Sequence, residues 1–119
     1  MRATMMQYPL VLTSLFDRAG KLFPDVEIVS RRPDNSIHRH MYREWYNRTR
    51  ALAAALQSYG IRPGDRVATL MWNHYEHLEA YFAIPVIGGI LHTLNVRLHP
   101  DLHLAIPQAI CRYTLVLRN

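Results

Sequence analysis

The side chains best suited to chemistry in this 119-residue chain are its seven histidines. Imidazole is a common ligand of zinc and other transition metals, so closely spaced histidines are the first pattern to test. His74 and His77 stand three residues apart among acidic neighbours, but their order and spacing differ from the zinc-protease motif. His99 and His103 stand four apart, and Pro100 favours the first helical position, which leaves His99 outside the helix. We therefore predict no metal site.

Nucleophilic and phosphate-binding chemistry have no stronger support. Cys111 has no motif around it, and the serines do not form the Gly-x-Ser-x-Gly elbow of hydrolases. Phosphate cradles combine several glycines with Ser, Thr or Lys, whereas Gly88-Gly89 is flanked by Ile87 and Ile90, which favours close packing. We predict that the chain contains no catalytic, cofactor-binding or metal-binding residue.

Composition predicts a packed globular chain in a reducing compartment. Half of the residues are hydrophobic and 19% are charged, a balance typical of folded domains. The single cysteine cannot form an internal disulfide, which favours the cytoplasm. The longest apolar run, from Ala80 to Leu91, contains a proline and two glycines. It is shorter than the roughly 20 residues of a membrane-spanning helix, so no transmembrane segment is predicted.

The basic charge raises the hypothesis of nucleic-acid binding. The formal net charge is +5, with 14 basic residues, and clustered Arg and Lys attract phosphates. Arg31, Arg32, Arg39, Arg43, Arg48 and Arg50 fall in one 20-residue stretch. Their spacing follows a hairpin and a helix start, without the interleaved aromatic residues of known binding modules. We therefore expect no specific nucleic-acid recognition, and interpret the arginines as a solvated face or a surface for an acidic partner region.

The first half of the chain predicts two helices around a hairpin. Residues 12–23 form the first helix, capped by Thr13 or Ser14 and stopped by Pro24. Residues 27–30 and 37–41 are short strands around a Pro-Asp-Asn turn. The second helix spans residues 42–59, and Gly60 ends it. Its core stripe is Trp45, Thr49, Leu52, Leu56 and Tyr59.

The second half alternates strands and helices. Residues 67–71 form a buried strand, followed by a helix that Asn73 caps and that runs towards Pro85, and by a strand over residues 90–94. This order predicts a right-handed parallel crossover. A helix start over 101–110 and a strand over 113–117 follow. The predicted fold class is α/β: a partial parallel-sheet subdomain with an N-terminal helix and a β-hairpin.

The segment from Gly60 to Pro100 contains three signatures that resemble those of one enzyme family. They are the Gly-x-x-x-Gly-Asp-Arg-Val turn over residues 60–67, the Trp72-Asn73 and His77-Leu78-Glu79-Ala80 helix, and Gly88-Gly89 followed by His92-Thr93-Leu94-Asn95-Val96-Arg97-Leu98. Together they resemble medium- and long-chain fatty acid–CoA ligases of the adenylate-forming, AMP-binding superfamily. With the hairpin, the resemblance covers about residues 8–100.

The resemblance implies a fold, cofactors and a reaction. Family members use ATP and magnesium to convert a fatty acid into an acyl-adenylate, and then transfer the acyl group to coenzyme A. These steps need a Ser/Thr/Gly-rich phosphate loop, a Thr-Glu segment, a ribose-binding Asp and a catalytic Lys, none of which has a counterpart here. The expectation is that residues 1–119 are a truncated N-terminal part of an AMP-binding domain, without bound cofactors and catalytically incompetent alone.

Two other interpretations stay open. One is a non-catalytic interaction or oligomerisation module that pairs with a ligase or with itself, and the other is a basic nucleic-acid-binding domain, which rests on charge alone. The tail also departs from the family pattern, because Pro107 falls where a helix interior would resist it.

Overall fold

A computed structural model describes residues 8–9, 11–97 and 111–116. In chain order the elements are α1 (Leu12–Leu22), β1 (Glu27–Arg31), β2 (Ile37–Met41), α2 (Tyr42–Ser58), β3 (Arg66–Leu70), α3 (Tyr75–Val86), β4 (Ile90–Thr93) and β5 (Tyr113–Val116). The predicted α/β class and element order are confirmed. The helix start expected over 101–110, including Pro107, lies outside the described residues.

The first sheet is the predicted antiparallel hairpin. Glu27 pairs with Met41 at its open end and Arg31 with Ile37 next to the turn. The turn requires a left-handed backbone at Asn35, with φ of 65°, a conformation that Asn tolerates better than most residues. The Pro-Asp-Asn sequence therefore forms the turn that its residues favour.

The second sheet is entirely parallel within the described residues, and its strand order is β4-β3-β5. Val67 of the central strand pairs with Leu91 on one side and with Tyr113 on the other. Val67, Ala68 and Thr69 are fully buried, as expected of the central strand of a parallel sheet. The parallel arrangement of β3 and β4 around α3 is confirmed.

The core lies between this sheet and helices α2 and α3. Its buried members are Ala53, Leu56, Ile61, Val67, Ala80, Ala83, Ile84 and Ile87. Helix α1 joins through Phe16, whose ring centroid lies 5.1 Å from that of Trp45 and 5.9 Å from that of Phe82. In the part of the chain that the structure describes, no helix combines the length and apolar character needed to span a membrane.

Several helix ends differ from the predictions. Val11 and His74 occupy the N-cap positions of α1 and α3, without side-chain caps. Asn73 does not cap α3 because its side-chain oxygen contacts the His77 ring. Tyr59 lies past the last residue of α2 and is 84% exposed, so its assignment to the core stripe was wrong. Helix α3 continues through Pro85 to Val86.

Candidate functional site

The carboxyl ends of the parallel strands define the candidate site. Because β3 and β4 are parallel, the loop 71–74 after β3 and the loop 94–97 after β4 leave the sheet at the same edge, where α3 also begins. In open α/β sheets, ligands bind in the crevice outside the carboxyl ends of the strands. We call the two loops and the first turn of α3 the carboxyl edge.

His77 fastens the first loop of the carboxyl edge to the sheet. Its Nδ1 lies 3.1 Å from Asn73 Oδ1, and its Nε2 lies 3.1 Å from the Thr69 hydroxyl. Since the Asn73 oxygen only accepts, Nδ1 carries the hydrogen and Nε2 accepts from Thr69. Burial, and then the nearby His74, lower the pKa of His77, which favours this neutral form. The fastened loop presents Trp72, which is half-exposed.

The second loop is fixed by its own backbone and by β3. The Leu94 N–H donates to the Thr69 carbonyl at 2.8 Å, and the Leu94 side chain is buried. The Arg97 N–H donates to Asn95 Oδ1 at 2.9 Å, which forms an Asx turn. Asn95 and Arg97 are exposed at the carboxyl edge. These contacts indicate that Asn95 and Arg97, which belong to the third signature, form a turn.

A cavity of about 500 Å³ lies between the hairpin and the start of α3. Its walls include Ile28, Ser30, His74 and Tyr81. The Ser30 hydroxyl accepts a hydrogen bond from the Tyr75 N–H at 3.0 Å, and His74 Nδ1 lies 2.7 Å from Glu76 Oε2 without a hydrogen bond of good geometry. Mixed polar and apolar walls are typical of a binding cavity. None of the residues that line this one is an activated nucleophile, so the cavity offers binding contacts without a catalytic group.

The residues weighed from the sequence have other roles in the fold. His77 points to Thr69 and Asn73 and not to a shared site with His74, and the described residues contain no cluster of three His, Cys, Asp or Glu that could hold a metal. Burial raises the pKa of the half-buried Cys111 thiol, which disfavours the thiolate. His99 and His103 lie outside the described residues.

The glycine pair packs closely, as predicted. Gly88 has φ of 81°, and a Cβ placed on it would lie 3.0 Å from the Pro63 Cβ. A Cβ on Gly89 would lie 3.0 Å from Ile84 Cγ2. The Gly88 and Gly89 N–H groups donate to the carbonyls of Pro85 and Ile84. These amides are thus engaged in ending α3, which explains the pair without a phosphate.

The arginines between positions 31 and 50 each contact a neighbouring side chain. Arg39, Arg43 and Arg48 pair with carboxylates, and Arg31, Arg32 and Arg50 contact Asn35, His38 and the Tyr46 ring. The Arg48–Glu79 pair joins α2 to α3: Arg48 Nε lies 2.5 Å from Glu79 Oε1, and Glu79 is 6% exposed. The hydrogen bonds that Arg48 donates to the Glu79 carboxylate raise the pKa of Arg48. Sequence spacing gave no signal for this pair, because its members lie on different helices.

Comparison with known proteins identifies the family. The family model described as AMP-binding enzyme matches residues 16–110. The chain belongs to the AMP-binding enzyme family. It is 49% identical to a long-chain-fatty-acid–CoA ligase of Thermus thermophilus over 82% of its length, which is 18% of that protein. It is 39% identical to a medium-chain-fatty-acid–CoA ligase of Ectopseudomonas oleovorans, over 82% of this chain and 18% of the relative.

Solved structures agree at the level of the fold. The anthranilate CoA ligase AuaEII, solved with anthranoyl-AMP, superposes with a TM-score of 0.81 at 21% identity, over 98% of this chain and 22% of its own. This AMP-binding chain therefore spans about a fifth of the length of the proteins it resembles. Its small α/β fold corresponds to part of the N-terminal subdomain of adenylate-forming enzymes, which confirms the predicted resemblance.

Proposed function

We propose that residues 1–119 serve as the N-terminal part of an ATP-dependent fatty acid–CoA ligase. The observation that carries this proposal is the 49% identity to the Thermus thermophilus ligase, which extends over 98 residues. In the whole enzyme, ATP, magnesium, a fatty acid and coenzyme A would be the cofactors and substrates. The single cysteine supports a cytoplasmic setting.

The contribution of this segment is a scaffold. The three signatures coincide with contacts that shape both ends of the parallel strands: the carboxyl edge and the amino-terminal end. Asp65 accepts from the Arg62 N–H through its carboxylate at 2.8 Å and from the Ile90 N–H through its carbonyl at 2.8 Å, which ties the turn before β3 to β4. His77 and Glu79 anchor α3 to β3 and α2. These side chains position the sheet on which a ligand crevice is built.

We further propose that the segment alone is catalytically incompetent. Adenylation requires preorganised groups that offset the charge of the triphosphate during transfer. The sequence has no Ser/Thr/Gly-rich loop with a lysine to provide them. Fatty-acid-dependent ATP–pyrophosphate exchange by the purified chain is therefore expected to equal a buffer control, and turnover above that control would refute incompetence.

A chimera tests the ligase assignment itself. Replacing the matching segment of the Thermus thermophilus ligase by this chain should preserve fatty-acid-dependent pyrophosphate release, because the two segments share their fold and half of their residues. The same ligase without any replacement segment is the negative control. A chimera that folds, as judged by circular dichroism, but releases no pyrophosphate would contradict the proposed function.

A further inference from the structure

Two adjoining cavities form one crevice between the hairpin and the start of α3. The inner cavity is the one of about 500 Å³ described above, and the outer cavity, of about 600 Å³, opens between the hairpin turn and the loop 71–74. Arg31, Asn73 and His74 line both cavities, so the two spaces adjoin. We call them together the hairpin crevice. Each cavity has the size of a small-molecule site.

The outer part of the hairpin crevice carries positive charge that is not offset by a described carboxylate. Arg31 donates to Asn35 Oδ1 at 2.7 Å, and Arg32 donates to His38 Nδ1 at 2.9 Å, so neither partner is an anion. Arg39 of the same stretch, in contrast, pairs with a carboxylate. Among the described residues that line the crevice there is no Asp or Glu. An anion is therefore the complementary ligand for this part of the crevice.

The inner part of the hairpin crevice is mainly apolar and contains one hydroxyl donor. Ile28, Leu78 and Tyr81 supply apolar walls. The Ser30 hydroxyl oxygen accepts from the Tyr75 N–H at 3.0 Å, which leaves the hydroxyl hydrogen to donate to a ligand. The crevice as a whole therefore fits a ligand with an apolar body and an anionic head.

The start of α3 favours a singly charged head over a phosphate. Phosphates bind where free backbone N–H groups meet at a helix N-terminus. Here the Tyr75 N–H is engaged by Ser30, and the His77 N–H donates to a carbonyl within the same turn. The Glu76 carboxylate lies 2.7 Å from His74 Nδ1 and lines neither cavity, but its charge opposes a nearby dianion more than a monoanion. A carboxylate is the monoanion that the planar guanidinium group of arginine holds with two hydrogen bonds.

We propose that the hairpin crevice binds a small monocarboxylate with an apolar body, such as an arylalkanoate. Its carboxylate pairs with Arg31 and Arg32 in the outer cavity, and its apolar body lies along Ile28, Leu78 and Tyr81 in the inner cavity. The inference goes beyond the proposed function and does not depend on it, because every group that it uses lies within residues 28–81 of this chain.

Calorimetric titration of the full 119-residue chain with 3-phenylpropanoate tests the crevice. The neutral amide of the same acid has the same apolar body without the charge, and it should bind about tenfold more weakly or less, because charge-assisted hydrogen bonds to arginine are lost. Inorganic phosphate should not displace the acid at equal concentration. Equal affinity for acid and amide, or displacement by phosphate, would overturn the proposal, as would no binding of the acid.

Two double variants locate the site. Arg31→Gln with Arg32→Gln should weaken binding of 3-phenylpropanoate about tenfold or more. Arg39→Gln with Arg43→Gln is the matched control, because it removes the same charge from the same stretch and its arginines do not line the crevice. This control should bind the acid as the wild type does.

Circular dichroism verifies that both double variants fold. Equal weakening by the two variants would assign the effect to overall charge, and no weakening by the first would exclude its arginines; either result overturns the proposal. If a variant does not fold, the comparison of acid with amide on the wild type still decides. The chimera tests the ligase assignment separately, so the two failures are distinguishable.

Discussion

At the scale of single residues, the most unusual side chain is His40 on β2. It is 6% exposed, and neither ring nitrogen has a hydrogen-bond partner among the described residues. Its ring packs against His38 and Tyr75, with centroids 5.1 Å and 5.6 Å away. A buried polar group without a partner costs stability, and it costs more when it is charged.

His40 therefore predicts a pH dependence of folding. Burial, and then the charge of His38, lower the pKa of His40 below its ordinary value of 6.5, and burial also lowers that of His77. The unfolded chain then binds protons more readily than the folded one. The contribution of these two neutral rings to the free energy of unfolding is fully present above about pH 7. It falls as the pH drops through 6.5 towards the pKa values that the two histidines have in the folded state.

The variant His40→Phe tests this origin, since it keeps an aromatic ring and removes the titrating group. At pH 8 its free energy of unfolding should stay within about 1 kcal/mol of the wild type. Between pH 5 and 7 its stability should change less with pH. The measurement is urea unfolding at several pH values. A slope as steep as that of the wild type would assign the pH dependence to other groups, of which His77 is the first to test.

At the scale of elements, the end of α3 depends on a glycine for two separate reasons. Gly88 has φ of 81° and faces Pro63, whereas Gly64 has φ of 87° and no atom within 4 Å of an added Cβ. Alanine at either position incurs the left-handed backbone penalty of about 1–2 kcal/mol. Only at Gly88 does it also crowd a neighbour.

Gly88→Ala should therefore destabilise the fold more than Gly64→Ala, by about 1 kcal/mol or more. Unfolding midpoints in urea for the two variants and the wild type give the comparison. Equal losses would mean that Pro63 moves aside at no cost and that backbone strain is the whole effect.

The elements were predictable, and several of their ends were not. Periodicity and turn residues predicted the hairpin, α2 and the β3-α3-β4 unit, because each depends on local sequence. The caps predicted at Thr13, Ser14 and Asn73 were wrong, since Val11 and His74 hold the N-cap positions. The side-chain oxygen of Asn73 contacts the His77 ring instead. The Arg48–Glu79 and Thr69–His77 contacts join separate elements, so spacing along the chain carried no sign of them. The carboxyl edge emerged only once the strand order was known.

At the scale of the whole molecule, apolar surface remains exposed on several elements. Leu15, Leu22, Val29, Ile90 and Val116 each retain at least 47% of their surface. Scattered exposed residues are ordinary, but an apolar strand edge favours association. We expect the purified chain to form oligomers in size-exclusion chromatography and to bind a dye that reports apolar surface.

The chimera with the rest of the Thermus thermophilus ligase is the control, because covering the sheet should reduce dye binding per chain. A monodisperse monomer with one sharp, reversible thermal transition would show instead that 119 residues close their own core.

The central position of β3 also dictates an order of assembly. Val67 pairs with Leu91 and with Tyr113, and Leu91 comes earlier in the chain, so the partner on β4 is synthesised before the partner on β5. Pairing β3 with β4 closes a shorter loop than pairing β3 with β5 and therefore has the smaller entropic cost, so we expect it to form first. A ribosome-bound chain stalled before Tyr113 would therefore present β3 with one side paired and the other open, and we expect chaperones to bind this apolar strand.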